Sequence, residues 1–272
     1  MSARRRHPSP QPRRGPMARP EPYAESFSSA EEDPRAALLC GLVLSGCRQT
    51  GLLSLGDHGV PPDATRAASF LQQAAASALS EGDKATAGSA LYHNAMLLEQ
   101  GEERTMLLQR AAGVGHPEAC FILGSASSTP EGDRLLRIAA SDGHPEAQLA
   151  LGLRLIPHDK ENGVRLLLSA SLYGVCEADW ELFLLYRLQP DGITHLRLPP
   201  PPASATGEQE AAARLRRASV AGVEPAMLEM AAQLSSAGRQ EEARKLLHRV
   251  LWRGGAAAAA AAAALAVEHA PS

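Results

Sequence analysis

The chain has 272 residues, 44% of them apolar but only 4% aromatic, so any buried core must be built from alanine and leucine. The formal charge of −3 conceals an asymmetry: residues 1–20 carry six arginines and no acid, and without those six, 21 basic residues stand against 30 acidic ones. An acidic body poor in rings argues against nucleic-acid binding except through residues 1–20, because such binding needs basic tracks and stacking surfaces.

In chain order, the first segment is MSARRRHPSPQPRRGPMARP, arginine-rich and acid-free like a mitochondrial presequence. Its five prolines oppose the amphipathic helix that such a signal needs, and it has no apolar h-region. Residues 1–32 are therefore expected to form a disordered basic tail on a cytoplasmic chain, with mitochondrial import as the alternative. The apolar run Leu38–Leu44 breaks at Ser45-Gly46, and no stretch reaches 18 uninterrupted apolar residues, so no membrane span is expected. Cys40, Cys47, Cys120 and Cys176 show no CxxC or zinc spacing and read as small buried hydrophobes.

From residue 111 onward a pattern recurs: a pair of small residues, two variable residues, a glycine, then alanine four residues after the glycine. The copies are Ala111-Ala112…Gly115…Ala119, Ala139-Ala140…Gly143…Ala147, Ala170-Ser171…Gly174…Ala178 and Ala218-Ser219…Gly222…Ala226, with a weaker one at Val250-Leu251…Gly254…Ala258. The physical reading is a joint between helices. Glycine suits the left-handed residue just past a helix end, and proline suits the first position of the next helix. In the two GHPEA copies Glu118 and Glu146 then fall in the first turn, where the helix dipole favours a negative charge. His116 and His144 read as caps, since equivalent residues of stacked repeats stand about 8–10 Å apart and cannot share a metal ion.

Between joints each unit splits into two predicted helices. The first members are Pro117–Ser125, Pro145–Leu155, Cys176–Leu188 and Glu224–Ser236; the second are Asp133–Ala140, Glu161–Leu172, Glu208–Val220 and Gln240–Trp252. The insert 189–207, with its LPPPP run, interrupts the series and favours polyproline II. Nine consecutive alanines near the C-terminus favour a last helix, with a tail as the alternative. A helix pair of this size cannot bury its apolar face alone, so the units must stack.

The stretch GHPEAQLALGLRL (Gly143–Leu155) resembles the first half of a Sel-one-like repeat, the short-helix cousin of the tetratricopeptide repeat. HGVPPDATRAASFLQQAAA (His58–Ala76) resembles its second half, with Gly59-Val60, Asp63, Ala67, Phe70 and Ala74-Ala75 at the family's characteristic places. The resemblance implies an all-α, right-handed α-solenoid of about six antiparallel helix pairs. Its units would be about 33–78, 79–115, 116–143, 144–174, 175–222 and 223–254, with 255–272 a capping helix or tail. It further implies a non-catalytic protein–protein interaction scaffold or adaptor, without cofactor or metal, holding a protein or peptide along the solenoid. The alternative is a structural subunit of a large assembly, such as a mitochondrial one, whose arginine-rich tail contacts RNA or an acidic partner.

In such solenoids the first helices line the concave face. On them Gln148, Arg154, Asp179, Glu181, Met227 and Glu229 fall between the anchoring alanines and leucines and are the expected partner contacts. Trp180 and Tyr186 could anchor a peptide, although core packing between adjacent helices is the plainer role. The cluster His158, Asp159, Lys160, Glu161 reads as a helix start, and no nucleophile elbow, phosphate loop or HExxH appears, so no catalytic residue is assigned.

Overall fold

A computed structural model describes residues 33–46, 63–188 and 207–268. The basic tail, Cys47 and the LPPPP run lie outside the described residues. All thirteen elements among the described residues are helices. They divide at Leu97–Leu98 into two compact units.

The first unit holds α1 (Pro34–Leu44), α2 (Ala64–Glu81) and α3 (Lys84–Leu97). Aspartates open these helices: the Asp33 carboxylate accepts from Arg35 N–H at 2.9 Å, and that of Asp63 from Thr65 and Arg66 N–H at 3.1 Å. Such caps satisfy donors that have no partner inside the helix. Gly41 of α1 lies so close to Leu71 that an added Cβ would stand 2.6 Å from its Cγ, and Ala67, Leu71, Ala74 and Ala75 of α2 are buried. An exposed pair, Arg35–Asp83 at 3.2 Å, joins the start of α1 to the start of α3.

The second unit runs from α4 (Glu102–Gly113) through α5 (Pro117–Ala126), α6 (Pro130–Ser141), α7 (Pro145–Leu155), α8 (Lys160–Leu172) and α9 (Cys176–Leu188). It continues with α10 (Gly207–Ala221), α11 (Glu224–Ser236), α12 (Gln240–Arg253) and α13 (Ala258–Glu268). The expected first helices α7, α9 and α11 occupy the predicted residues end to end, and the others agree within three residues.

The joints explain this precision. Gly115, Gly143, Gly174 and Gly222 all take left-handed φ, from 88° to 93°. At Gly143 its N–H bonds to Ala140 C=O at 3.1 Å and the next N–H, of His144, to Ala139 C=O at 3.0 Å. Gly115, Gly174 and Gly222 repeat this pair of bonds onto their own small-residue pairs. The motif closes the helix end by satisfying its last carbonyls.

Successive helices pack on their neighbours. Within the α7–α8 pair, Gly152 and Gly163 face each other, and a Cβ on Gly163 would come 2.9 Å from Gly152 carbonyl oxygen. The apolar clusters pass from one pair to the next. Val164, Leu167, Val175 and Leu182 link α8 to α9; Phe183, Leu215 and Ala226 link α9, α10 and α11; Met227, Leu247, Val250, Ala261 and Leu265 link α11, α12 and α13. The alanine-rich segment is thus a helix seated on the last pair. No helix among the described residues is long and apolar enough to cross a membrane.

Candidate functional site

Counting from the residue that precedes each first helix (His116, His144, Val175, Val223) shows where the candidate side chains go. The fourth position after it is Cys120, Gln148, Asp179 and Met227, and all four are buried. Gln148 donates from Nε2 to Ala140 C=O at 3.3 Å, Cys120 approaches Ala112 C=O at 3.6 Å, and Asp179 accepts from Ser171 hydroxyl at 2.8 Å. Each reaches back to the small pair of the preceding joint. This corrects the expectation for Gln148, Asp179 and Met227: they point into the packing and offer a partner no surface. Asp179 also accepts from Arg214 at 2.9 Å and Arg217 at 2.7 Å, while Arg214 bonds Glu210 at 2.7 Å. This ion cluster fastens α10 to α9.

Arg154 is likewise an inter-repeat clamp. It donates to Asp133 at 2.8 Å and to Gly124 C=O at 3.0 Å, tying α7 to the preceding pair. Tyr186 packs between two clusters, half-buried, with the Arg214 guanidinium 6.0 Å from its ring centre. Burial pushes its phenol above the ordinary range. Trp180 packs beside Phe183, ring centres 5.4 Å apart, at the edge of the same core.

The fifth, sixth and ninth positions are half-buried or exposed, with Leu149, Trp180, Leu184 and Leu228 packed against the apolar clusters by one side. At the fifth stand Phe121, Leu149, Trp180 and Leu228; at the sixth, Ile122, Ala150, Glu181 and Glu229; at the ninth, Ser125, Leu153, Leu184 and Ala232. Across α5, α7 and the joint before α9 they form an open groove of about 550 Å³. Phe121, Leu149, Ala150, Leu153 and Tyr173 make its walls, with Glu146 and Glu177 at its rim. Leu153 is 38% and Tyr173 68% exposed, so the groove presents apolar surface to solvent. A larger hollow of about 860 Å³ lies against α4, where Met106, Leu108, Ile122 and Ala126 alternate with Gln100, Glu102, Arg104 and Gln109.

The groove's back wall is held by the joint. The Phe121 ring stacks on the His144 imidazole, centres 4.7 Å apart. His144 Nδ1 lies 3.3 Å from Ala147 N–H, from which it accepts when neutral, and 3.3 Å from Glu146 carboxylate, which it meets as a donor when protonated. Glu181 and Glu229 occupy the sixth position farther along. Glu181 has its carboxyl pushed above the ordinary range by burial, while Glu229 pairs with Arg187 and accepts from Gln233. Sequence reasoning missed Phe121, Leu149, Leu153 and Tyr173. The signal of Phe121, Leu149 and Leu153 was present in the fifth and ninth places of the two GHPEA units, and that of Tyr173 in the joint before α9, but reading it required the rotation of the helices.

Cys40 and Cys120 are buried and burial raises their thiols; Cys176 is half-buried. Among the described residues no cluster of three or more His, Cys, Asp or Glu is placed to hold a metal ion. The cluster at residues 158–161 opens α8, with Asp159 carboxylate accepting from Asn162 N–H at 3.2 Å.

No family model and no curated protein matches this chain. Among solved structures it is similar to the crystal structure of a Sel1 repeat protein from Oxalobacter formigenes, with a TM-score of 0.56 and 18% identity. The match covers 80% of this chain and 87% of that one.

Proposed function

We propose that this chain, whose fold is that of a Sel-one-like helical-repeat solenoid, is a non-catalytic scaffold or adaptor that holds a polypeptide in the groove at Leu153 and Tyr173. The observation that carries this reading is the open apolar groove that Phe121, Leu149, Ala150, Leu153 and Tyr173 line, with Glu146 and Glu177 at its rim. A shallow, open, apolar-walled groove suits side chains of a polypeptide better than a small molecule, which needs enclosure on most sides. The rim carboxylates Glu146 and Glu177 favour a segment whose apolar anchor is flanked by cations.

Replacing Leu153 by a photoreactive benzoylphenylalanine, in the native source, tests the reading. A control carries it at Arg165, exposed on α8 away from the groove. Position 153 is expected to capture a polypeptide that position 165 does not. Equal capture at both positions would contradict the reading.

A further inference from the structure

The chain carries a surface that matches its own groove. Along the outer face of α12, Lys245, His248, Arg249 and Trp252 are spaced as one helical stripe, and all four are exposed. Trp252 is 90% exposed, the most exposed of the large apolar side chains among the described residues. A hollow of about 430 Å³ is bounded by His248, Arg249, Trp252 and Arg253 alone, so the indole stands in a purely basic frame.

Nothing in the fold requires this indole. The core positions of the same helix are Ala243, Leu247 and Val250, which pack with α11 and α13. The equivalent residues of the two preceding second helices, Leu172 and Val220, are also exposed, at 86% and 78%, but neither is aromatic. An exposed tryptophan amid cations is the composition of an interface anchor.

We infer that Trp252 and its basic frame dock into the groove of a second copy of this chain, the indole between Leu153 and Tyr173 and the cations against Glu146 and Glu177. The inference rests on the groove reading above and names its occupant. Complementarity supports it in both respects: an apolar groove with an acidic rim at α5, α7 and the joint before α9, and an apolar knob with a basic frame on α12. Trp252 cannot reach its own groove, because Val250 and Leu247 fix α12 in the core three helices beyond α9. Knob and groove are different surfaces, so each contact uses one of each, and copies associate as a reciprocal pair, a ring or an open series according to their relative orientation.

The experiment is sedimentation velocity of the full chain against concentration at low salt, with two variants. Trp252→Glu removes the knob and keeps the groove; Leu153→Glu with Glu177→Arg spoils the groove and keeps the knob. These are exposed or rim positions, and circular dichroism verifies that both variants fold. The wild type is expected to grow in size with concentration and to shrink at high salt, where charge attraction is screened. Each variant alone is expected to stay monomeric, and an equal mixture to form one-to-one pairs, because one intact knob and one intact groove remain. A wild type that stays monomeric, or a mixture that fails to pair, overturns the inference. Capture of a foreign polypeptide at position 153 would then leave the groove reading standing.

Discussion

His116 and His144 occupy the same repeat position and open successive first helices. Burial holds the His116 imidazole below its ordinary range; the Glu118 carboxylate 3.3 Å away opposes this and the nearby His144 adds to it. A base with a depressed folded pKa binds fewer protons folded than unfolded. Its contribution is therefore present above about pH 6.5 and is lost as pH falls below that value. His116→Gln is expected to lose less stability than wild type between pH 7.5 and 5.5, read from urea midpoints. Glu181 has the opposite sense: burial raises its carboxyl, so the folded state holds its proton longer and stability falls as pH rises from the ordinary carboxylate range, about 4.3. Glu181→Gln should raise the melting temperature at pH 7.5, and the gain should shrink as pH falls toward 4.5. Asp179 is a structural residue at this scale. Its side chain is 5% exposed and faces Arg214, itself 9% exposed, so Asp179→Ala leaves a buried cation short of a partner and should cost about 3 kcal/mol.

At the scale of the element, the joint is the unit that the sequence spells out. A left-handed glycine closes α6, and an alanine there meets no neighbouring atom within 4 Å, so its cost is purely conformational. Gly143→Ala should therefore destabilise by about 1–2 kcal/mol. Gly113→Ala, inside the last turn of α4 and equally unobstructed, should stabilise by about 0.5–1 kcal/mol, because it lacks the left-handed backbone. Thermal unfolding of the two variants side by side checks the sign. This local character is why helices α7, α9 and α11 were legible to the residue: the bonds of each joint span at most five residues. Rotation of a helix about its axis is not local. It is set by which face meets the next pair, so Gln148, Asp179 and Met227 read as surface when they are core, while Leu153 and Tyr173 were passed over. The alanine run left helix and tail both open, because composition cannot show that Ala261 and Leu265 find Met227 and Leu247 to pack against.

In the second unit, the apolar clusters from α7 onward each join only neighbouring pairs, so the stability of that part is a sum of repeat and interface terms. The last helix has packing on one side of the series only. Leu265→Ala should cost about 2 kcal/mol and loosen the α11–α12 pair first, visible as faster amide exchange there than in α7 and α8. The same architecture leaves Leu153 of α7 and Tyr173 of the following joint exposed at the groove, outside the apolar clusters and available for binding. Their use as a working face, with Trp252 as the matching knob, is the central claim. Hydroxyl-radical footprinting across a concentration series tests it most directly, since Tyr173 lines the groove, Trp252 is the knob, and exposed Met106 on α4 belongs to neither. The account predicts that Tyr173 and Trp252 lose reactivity together as concentration rises while Met106 keeps its own. Constant reactivity at Tyr173 and Trp252, or a loss that Met106 shares, would contradict it.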